Sequence, residues 1–256
     1  MKRILTAAIL IPVVIGGILF AAKAVFLVIL CAIALLAYYE FDQIVAASGI
    51  RPAGWPGMAA GLAVMFLDPR TAMPVLITML GMTLAMRLDN LRSAMAYAGA
   101  FVLGVLYIFG SWHFADVLHS MNPHWLMFAM ILGWAGDTAA FYVGKSIGKH
   151  KLAPRVSPAK TWEGSIGSVV GSLFAAGVYA HYLIPAAPVW MVLLLAAVGN
   201  VAGQFGDLAE SALKRGAGVK DSGSLLPGHG GMLDRIDSSL FTIPVIYALL
   251  LHLPAV

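Results

Sequence analysis

The stretch GQFGDLAESALKRGAGVKDSGSLLPGHGGMLDRID, residues 203–237, concentrates charged side chains in a chain that is otherwise mostly apolar. It continues an apolar run that begins near Val189. If this run is helical, a set of polar or small residues recurs at spacings of three or four and shares one face. The set is Asn200, Gly203, Asp207, Glu210, Ser211 and Lys214. Because a carboxylate inside a helix of hydrocarbon length is costly, Asp207 is a functional candidate.

A second acidic pattern follows a basic, glycine-rich loop. Asp234 and Asp237 lie three residues apart, on one face of another predicted helix. A negative charge that complements a helix dipole explains one of these acids well but not both. Mg²⁺ takes one or two carboxylates together with substrate phosphates and water. The pattern therefore predicts a divalent metal that holds a polyphosphate, with Asp207 and Asp234 as metal ligands and Asp237 as a third ligand or as an acid in the next layer around the metal.

The composition indicates a membrane protein. Of the 256 residues 61% are hydrophobic and 11% are charged, and the mean hydropathy is +0.89. A soluble domain has about 25% charged residues, and a soluble core of this size cannot cover so much apolar surface. The apolar runs are long and do not alternate, which favours helices over a barrel. The sequence thus predicts an all-α integral membrane protein, and the single cysteine, Cys31, excludes a disulfide within the chain.

Hydropathy predicts about nine transmembrane helices and a cytoplasmic N-terminus. The predicted spans are about 4–22, 24–46, 54–67, 71–86, 93–114, 124–147, 163–184, 187–213 and 232–253. In this topology all of the 16 lysines and arginines except Lys23 and Arg70 lie in the cytoplasm or at its interface. The first span resembles a signal sequence, but its apolar part exceeds the usual length of about 7–15 residues, so we expect it to be retained. We predict a scaffold with a dimer contact in 1–120 and a catalytic region in 121–256.

The segment KHKLAPRVSPAKTWEG, residues 149–164, follows the span that contains Asp137. Ser157-Pro158 and Thr161 are predicted helix starts, because proline suits a first helical turn and threonine caps one. A helix N-terminus beside several cations is a good anion site. These cations are Lys149, Lys151, Arg155 and Lys160.

Two alternatives stay open for this segment. Lys149 and Lys151 are equally well explained as anchors at the lipid headgroups. Asp137 is either a site residue or a structural acid that pairs with a cation on a neighbouring helix, because an acid at this depth needs a partner in both cases.

The run Pro227-Gly228-His229-Gly230-Gly231 leads into the last predicted span. Glycines let backbone N–H groups approach phosphate oxygens closely, and the following helix N-terminus adds a partial positive charge. The flanking Lys220, His229 and Arg235 favour phosphate binding over an ordinary flexible loop. His229 itself is a proton carrier, a phosphate ligand or a turn residue, and spacing alone does not choose among these roles.

Residues 211–237 resemble the signature of the phosphatidate cytidylyltransferases, also called CDP-diacylglycerol synthases. The matching positions are Ser211, Lys214, Arg215, Lys220, Asp221, Pro227, Gly228, His229, Gly230, Gly231, Asp234, Arg235 and Asp237. The region from SPAKTWEG back to Asp137 also resembles the family, so the likeness covers about 130–240. The resemblance implies a magnesium-dependent transfer of CMP from CTP to phosphatidate, which gives CDP-diacylglycerol and pyrophosphate. It also implies an all-helical fold that dimerises.

The resemblance and the residue chemistry together give a predicted site at the cytoplasmic interface. The predicted catalytic residues are Lys214, Arg215, His229 and Arg235. The predicted substrate-binding residues are Ser157, Lys160, Thr161, Glu163, Ser211, Lys220, Asp221, Gly228, Gly230 and Gly231. Mg²⁺ is the expected cofactor, with Asp137 as a further candidate residue. Expected partners are CTP, phosphatidate, membrane lipid and a second copy of the chain, without nucleic acid, in a bacterial cytoplasmic (inner) membrane.

Three other functions compete with this one. A CTP-dependent lipid-alcohol kinase also handles CTP and a lipid, but it releases CDP. A CDP-alcohol phosphatidyltransferase carries a D-G-x-x-A-R…G…D…D pattern, which is absent here. A transporter would use Asp137 and Asp207 on an ion pathway, but it leaves the charged loops unexplained, and the sequence shows no inverted repeat.

Overall fold

A computed structural model describes residues 2–66, 73–225 and 230–253. The helices are α1 (Lys2–Leu19), α2 (Lys23–Ala47), α3 (Trp55–Phe66), α4 (Met73–Ala85), α5 (Ala94–Gly104), α6 (Ser111–Met121), α7 (Pro123–Ile147), α8 (Trp162–Leu183), α9 (Val189–Gly216) and α10 (Leu233–His252). A 3₁₀ turn at Leu91–Ser93 precedes α5, and a π-helical segment at Val105–Gly110 joins α5 to α6. Two short strands, β1 (Lys151–Ala153) and β2 (Ser157–Thr161), pair antiparallel.

Five helical stretches in the described part of the chain are long and apolar enough to cross a membrane. They are Lys23–Ala47, Leu91–Met121, Pro123–Ile147, Trp162–Leu183 and Val189–Gly216. Helices α3 and α4 are apolar but shorter. The predicted class, an all-α membrane protein, is confirmed.

The chain forms two compact units. Unit 1 comprises Met1–Pro12, Ala22–His113 and Leu213–Arg235, and unit 2 comprises Val13–Ala21, Phe114–Ala212 and Ile236–Val256. In unit 1 the buried rings of Tyr38 and Phe109 pack with their centroids 5.4 Å apart. In unit 2, α7 packs along α8, and the Tyr179 hydroxyl lies 2.8 Å from His124 Nδ1. The division of roles predicted for 1–120 and 121–256 concerns function and stays a prediction.

Helix α9 has its polar face buried and an apolar face exposed. Asn200, Glu210 and Lys214 are buried, whereas Val201 and Phe205 are exposed. This arrangement is the reverse of a soluble amphipathic helix, because hydrocarbon can cover an apolar face and polar groups must find partners inside the protein. The shared face predicted from spacings of three and four is therefore confirmed.

The segment between α7 and α8 differs from the prediction. Ser157 and Pro158 lie in β2, so the helix start predicted there is wrong. A short strand tolerates proline where no partner needs its missing N–H. The start predicted at Thr161 is confirmed: α8 begins at Trp162, and Thr161 Oγ1 accepts a hydrogen bond from the Gly164 N–H at 3.1 Å. The hairpin places Lys160 and Thr161 directly before α8.

Candidate active site

A cavity of about 390 Å³ lies within unit 2, bounded by α7, α8, α9, α10 and the β1–β2 hairpin. Its walls carry two cations, Lys145 and Lys160, and two acids, Asp137 and Asp207. Thr161, which caps α8, also lines it. The cavity thus brings together residues predicted for the metal and for substrate binding, and it includes the candidate Asp137, which is exposed.

Lys160 and Asp207 form an ion pair in the wall of this cavity. Lys160 Nζ lies 2.5 Å from Asp207 Oδ2, and the Ser211 hydroxyl donates to Asp207 Oδ1 at 3.3 Å. The Lys160 and Asp207 side chains are 27% and 32% exposed, so solvent screens the pair and it stabilises the fold by at most about 1 kcal/mol. Its main consequence is positional, because strand β2 holds a cation next to Asp207 of α9.

Asp237, on α10, interacts electrostatically with three other carboxylates of unit 2, those of Asp207, Glu210 and Asp137. Like charges so close in a membrane protein repel, and a cation lowers that cost. Lys160 supplies one positive charge, at Asp207. Two carboxylates match the number that Mg²⁺ takes when phosphates and water complete its shell, so Asp207 and Asp237 fit the predicted metal. Within the described ranges, no group of three or more His, Cys, Asp or Glu side chains is arranged to hold an ion by itself.

A network of amides and hydroxyls, buried at Ser168, Ser172 and Asn200, joins α8 to α9. Asn200 Nδ2 donates to the hydroxyls of Ser168 and Ser172 at 3.0 and 2.8 Å. Gln204 Nε2 donates to Asn200 Oδ1 at 2.7 Å, and the Ser165 hydroxyl donates to Gln204 Oε1. Burying these groups without partners would be costly, so the network fixes α9 against α8. It thereby fixes Asp207, which follows Gln204 by one turn of α9.

The α8 serines and Gln204 were not among the site residues predicted from the sequence. A signal was present, because Ser165, Ser168 and Ser172 recur at spacings of three and four in an apolar helix. Serines of this kind hydrogen-bond between membrane helices.

Lys214 and Asp234 form a second ion pair, in unit 1. Lys214 Nζ lies 2.5 Å from Asp234 Oδ1, and the two side chains are only 9% and 7% exposed. Asp234 Oδ2 also accepts the backbone N–H groups of Gly231 at 2.8 Å and Ser222 at 3.0 Å. The carboxylate is thus satisfied by a cation, by one amide just before α10 and by one amide in the preceding loop. The metal role predicted for Asp234 is not tested by these contacts and stays a prediction.

Other predicted residues near this pair are exposed. Arg215 donates from Nη1 to the Val219 carbonyl at 2.9 Å, and Lys220, Asp221 and Arg235 are exposed. Gly230 has φ +79°, a conformation that favours glycine. The predicted Gly228 and His229 lie outside the described residues.

Glu163, predicted to bind substrate, contacts the segment that enters the hairpin. Its carboxylate accepts the His150 backbone N–H and lies 2.6 Å from His150 Nδ1. Ser157, also predicted for substrate, is partly buried in β2. The trio predicted for the metal is divided between the units, since Asp234 belongs to unit 1 and Asp207 and Asp237 to unit 2.

Replacing Thr161 with valine tests the link between the hairpin and α8. Valine keeps the shape but removes the oxygen that caps the helix, and losing such a cap costs about 1 kcal/mol. We therefore expect a lower thermal midpoint in detergent, measured by intrinsic fluorescence. Thr78→Val is the matched control, because the exposed Thr78 hydroxyl donates to the Pro74 carbonyl within its own helix and caps no helix start. Equal midpoints for both variants would contradict the capping role.

The model of the cytidylyltransferase family matches residues 1–253. Phosphatidate cytidylyltransferase of Bacillus subtilis (strain 168) is 42% identical over 155 residues, which are 59% of this chain and 58% of that protein. The protein of the same name from Staphylococcus haemolyticus (strain JCSC1435) is 39% identical over 160 residues, 62% of this chain and 58% of the relative. With that of Staphylococcus aureus (strain COL), the identity is 34% over 228 residues, 85% of this chain and 88% of the relative.

The matches to the first two relatives thus span 58% of their length, and the match to the third spans 88%. The family match covers the N-terminal helices as well as the charged segments that carry the resemblance. The chain therefore belongs to the cytidylyltransferase family.

Proposed function

We propose that the protein transfers CMP from CTP to phosphatidate and forms CDP-diacylglycerol and pyrophosphate. The observation that carries the proposal is the cavity of unit 2, in which the Lys160–Asp207 pair lies among membrane-spanning helices. Such a site lets a phosphorylated lipid present its headgroup while its tails stay in the bilayer. Family membership and the names of the relatives support CTP and phosphatidate as the substrates.

The reaction depends more on the alignment of its two substrates than on a general base. A phosphatidate oxygen attacks the α-phosphorus of CTP, a new P–O bond forms, and the bond to the β-phosphate oxygen breaks, so that pyrophosphate leaves. The nucleophile is already anionic, and the protein has to orient two anions that repel each other and offset charge on the leaving group. We propose that Lys160, in unit 2, binds a phosphate together with Thr161, which follows it in β2, and Ser157, which begins that strand. Lys214, Arg215, Arg235 and His229 are the other groups that we propose for phosphate contacts or proton transfer.

Mg²⁺ would be held in unit 2 by Asp207 and Asp237, and there it would supply charge neutralisation on the phosphates. The protein's own part is to keep these two acids fixed. The hydrogen bonds among Ser165, Gln204 and Asn200 hold α9, and with it Asp207, in place. On α10, the Ser238 N–H donates to Asp237 Oδ1 at 2.7 Å and so holds the Asp237 carboxylate in place.

We further propose nine spans and a cytoplasmic N-terminus in a bacterial inner membrane. The charge distribution supports this topology, because it puts nearly all lysines and arginines on one side. Loops 148–162 and 214–231 then face the cytoplasm, where CTP is found. The bacterial sources of the relatives support the location. We also propose that the protein forms a homodimer, as its resemblance to the family implies.

The nucleotide products test the function. Purified protein in detergent is incubated with CTP, phosphatidate and Mg²⁺, and the products are separated by anion-exchange chromatography. We expect pyrophosphate in equal amount to CDP-diacylglycerol, and no CDP. Release of CDP with a phosphorylated lipid would indicate the lipid kinase, and ion uptake into liposomes without CTP turnover would indicate a transporter.

Removal of the metal tests the cofactor. Excess EDTA is expected to lower the rate of pyrophosphate release by at least about 100-fold, because charge on the leaving group is no longer offset. Addition of Mg²⁺ beyond the EDTA should restore the rate, whereas Na⁺ at the same ionic strength should not. A rate that is unchanged in EDTA would contradict the metal assignment.

A further inference from the structure

Glu40 lies on α2, far along the chain from the charged loop, and only 3% of it is exposed. From the described residues its carboxylate accepts three hydrogen bonds, all from donors after position 220. The donors are the Ser222 hydroxyl at 3.0 Å, the Met232 N–H at 2.9 Å and the Leu233 N–H at 2.8 Å. A buried carboxylate is costly unless it is fully hydrogen-bonded, and these contacts meet that need.

The two N–H groups belong to the start of α10, where backbone donors have no partner within the helix. Glu40 supplies acceptors for them from another helix, and its negative charge also complements the helix dipole. Glycine is required for this approach. A Cβ on Gly223 would lie 2.6 Å from Glu40 Oε1, and a Cβ on Gly231 would overlap the same carboxylate.

Ser222 connects Glu40 to the Lys214–Asp234 pair. Its hydroxyl donates to Glu40, while its backbone N–H donates to Asp234 Oδ2 at 3.0 Å. The Asp234 N–H in turn approaches the Ser222 hydroxyl at 3.3 Å. The hydrogen bonds of one serine therefore connect Glu40 to the carboxylate that holds Lys214. All of these residues belong to unit 1.

We infer that Glu40 is a positioning residue: with Ser222 it fixes the start of α10, and so sets where Asp234 holds Lys214. It does not touch substrate in this account. The inference rests on the proposed function for its kinetic consequence, but its structural content stands by itself. The signal in the sequence is the one that singled out Asp207, a carboxylate inside a long apolar helix.

The variant Glu40→Gln tests this role with little change of shape. Met232 N–H donates to Oε1 and Leu233 N–H donates to Oε2. The glutamine NH₂ must replace one oxygen, so in either orientation it faces a backbone donor. We expect kcat for CMP transfer to fall by about 10- to 100-fold, the loss typical of misplaced groups, while KM for CTP changes by less than about threefold.

Asp42→Asn is the matched control. Asp42 lies two residues further along α2, is 4% exposed, and accepts the N–H groups of Ala53 and Gly54 at 3.2 and 2.7 Å. It therefore has the same burial and the same kind of partners, but in a different loop. We expect its kcat, measured on folded protein, to stay within about twofold of the original, because its hydrogen bonds run to the loop after α2 and not to the start of α10 among the described residues.

Hydrogen exchange gives a readout that does not depend on activity. In Glu40→Gln, peptides that cover residues 230–240 should exchange at least about tenfold faster, and peptides over 50–56 should not change. In Asp42→Asn, peptides over 50–56 should exchange faster, and peptides over 230–240 should not change. If Glu40→Gln is too unstable to purify, Ser222→Ala removes one link of the same chain and is expected to lower kcat in the same way.

Failure of the positioning role and failure of the proposed function would give different results. Equal effects of Glu40→Gln and Asp42→Asn on kcat, or exchange that rises equally in both segments, would overturn the positioning role. Absence of CMP transfer by the unaltered protein would instead refute the proposed function, and the exchange pattern alone would then decide the inference about Glu40.

Discussion

Replacing Asp207 with asparagine is expected to lower kcat for CMP transfer by about 10³-fold while the protein stays folded. Asparagine keeps the shape of the side chain but removes the charge that attracts Lys160 and the proposed metal. Loss of a charge-stabilising group in an active site costs about 10² to 10³ in rate, and loss of a metal ligand adds to that. The ion pair itself is partly exposed and contributes at most about 1 kcal/mol to folding.

Steady-state kinetics in detergent micelles measure this effect, and the thermal midpoint shows that the variant is folded. Asp89→Asn is the control, because Asp89 is an exposed acid between α4 and α5. Its kcat should match that of the unaltered protein within about twofold. If Asp207→Asn retained more than a tenth of the original kcat, Asp207 would have no place in the metal site.

Replacing Lys214 with methionine is expected to give the largest loss of stability. Methionine keeps most of the length but leaves Asp234 buried without its cation. Breaking a buried pair in this way costs about 3–5 kcal/mol, because the remaining charge is uncompensated. Activity should fall with stability, since the same lysine is proposed to contact phosphate. Thermal unfolding in detergent measures the first effect, and pyrophosphate release measures the second.

The double variant Lys214→Met/Asp234→Asn separates the two effects. Removing both charges relieves the uncompensated carboxylate, so most of the lost stability should return. Activity should not return, because the cation is still absent. Arg92→Ala serves as the control, as Arg92 is an exposed cation before α5. Stability losses that simply add in the double variant would show that the two side chains do not form a coupled pair.

The helices could be predicted well from the sequence, because backbone groups that lie in hydrocarbon must be hydrogen-bonded within the protein. Each of the nine apolar segments predicted from hydropathy contains a helix in the structure, since backbone groups in a membrane must be satisfied within the segment. The polar face of α9 followed from the same rule. Asn200 and Glu210 are buried because no water is available on the other face.

Contacts between distant segments were not predictable. The β1–β2 hairpin depends on the pairing of Lys151 with Thr161, and neither strand is long enough to show alternation. Glu40 meets partners that follow it by 182 to 193 positions, and spacing along one helix carries no information about them. Similarly, Lys160 and Asp207 were predicted to have separate roles, whereas the fold joins them as an ion pair.

CTP labelled at a single phosphate tests the central claim most directly. The purified protein is given phosphatidate, Mg²⁺ and CTP that carries ³²P at the α-position or at the γ-position, and the lipid phase is then extracted. We expect α-label to enter the lipid and γ-label to stay in water as pyrophosphate, and we expect Asp207→Asn to transfer α-label about 10³-fold more slowly. Entry of γ-label into the lipid, or equal α-label transfer by Asp207→Asn, would contradict that claim.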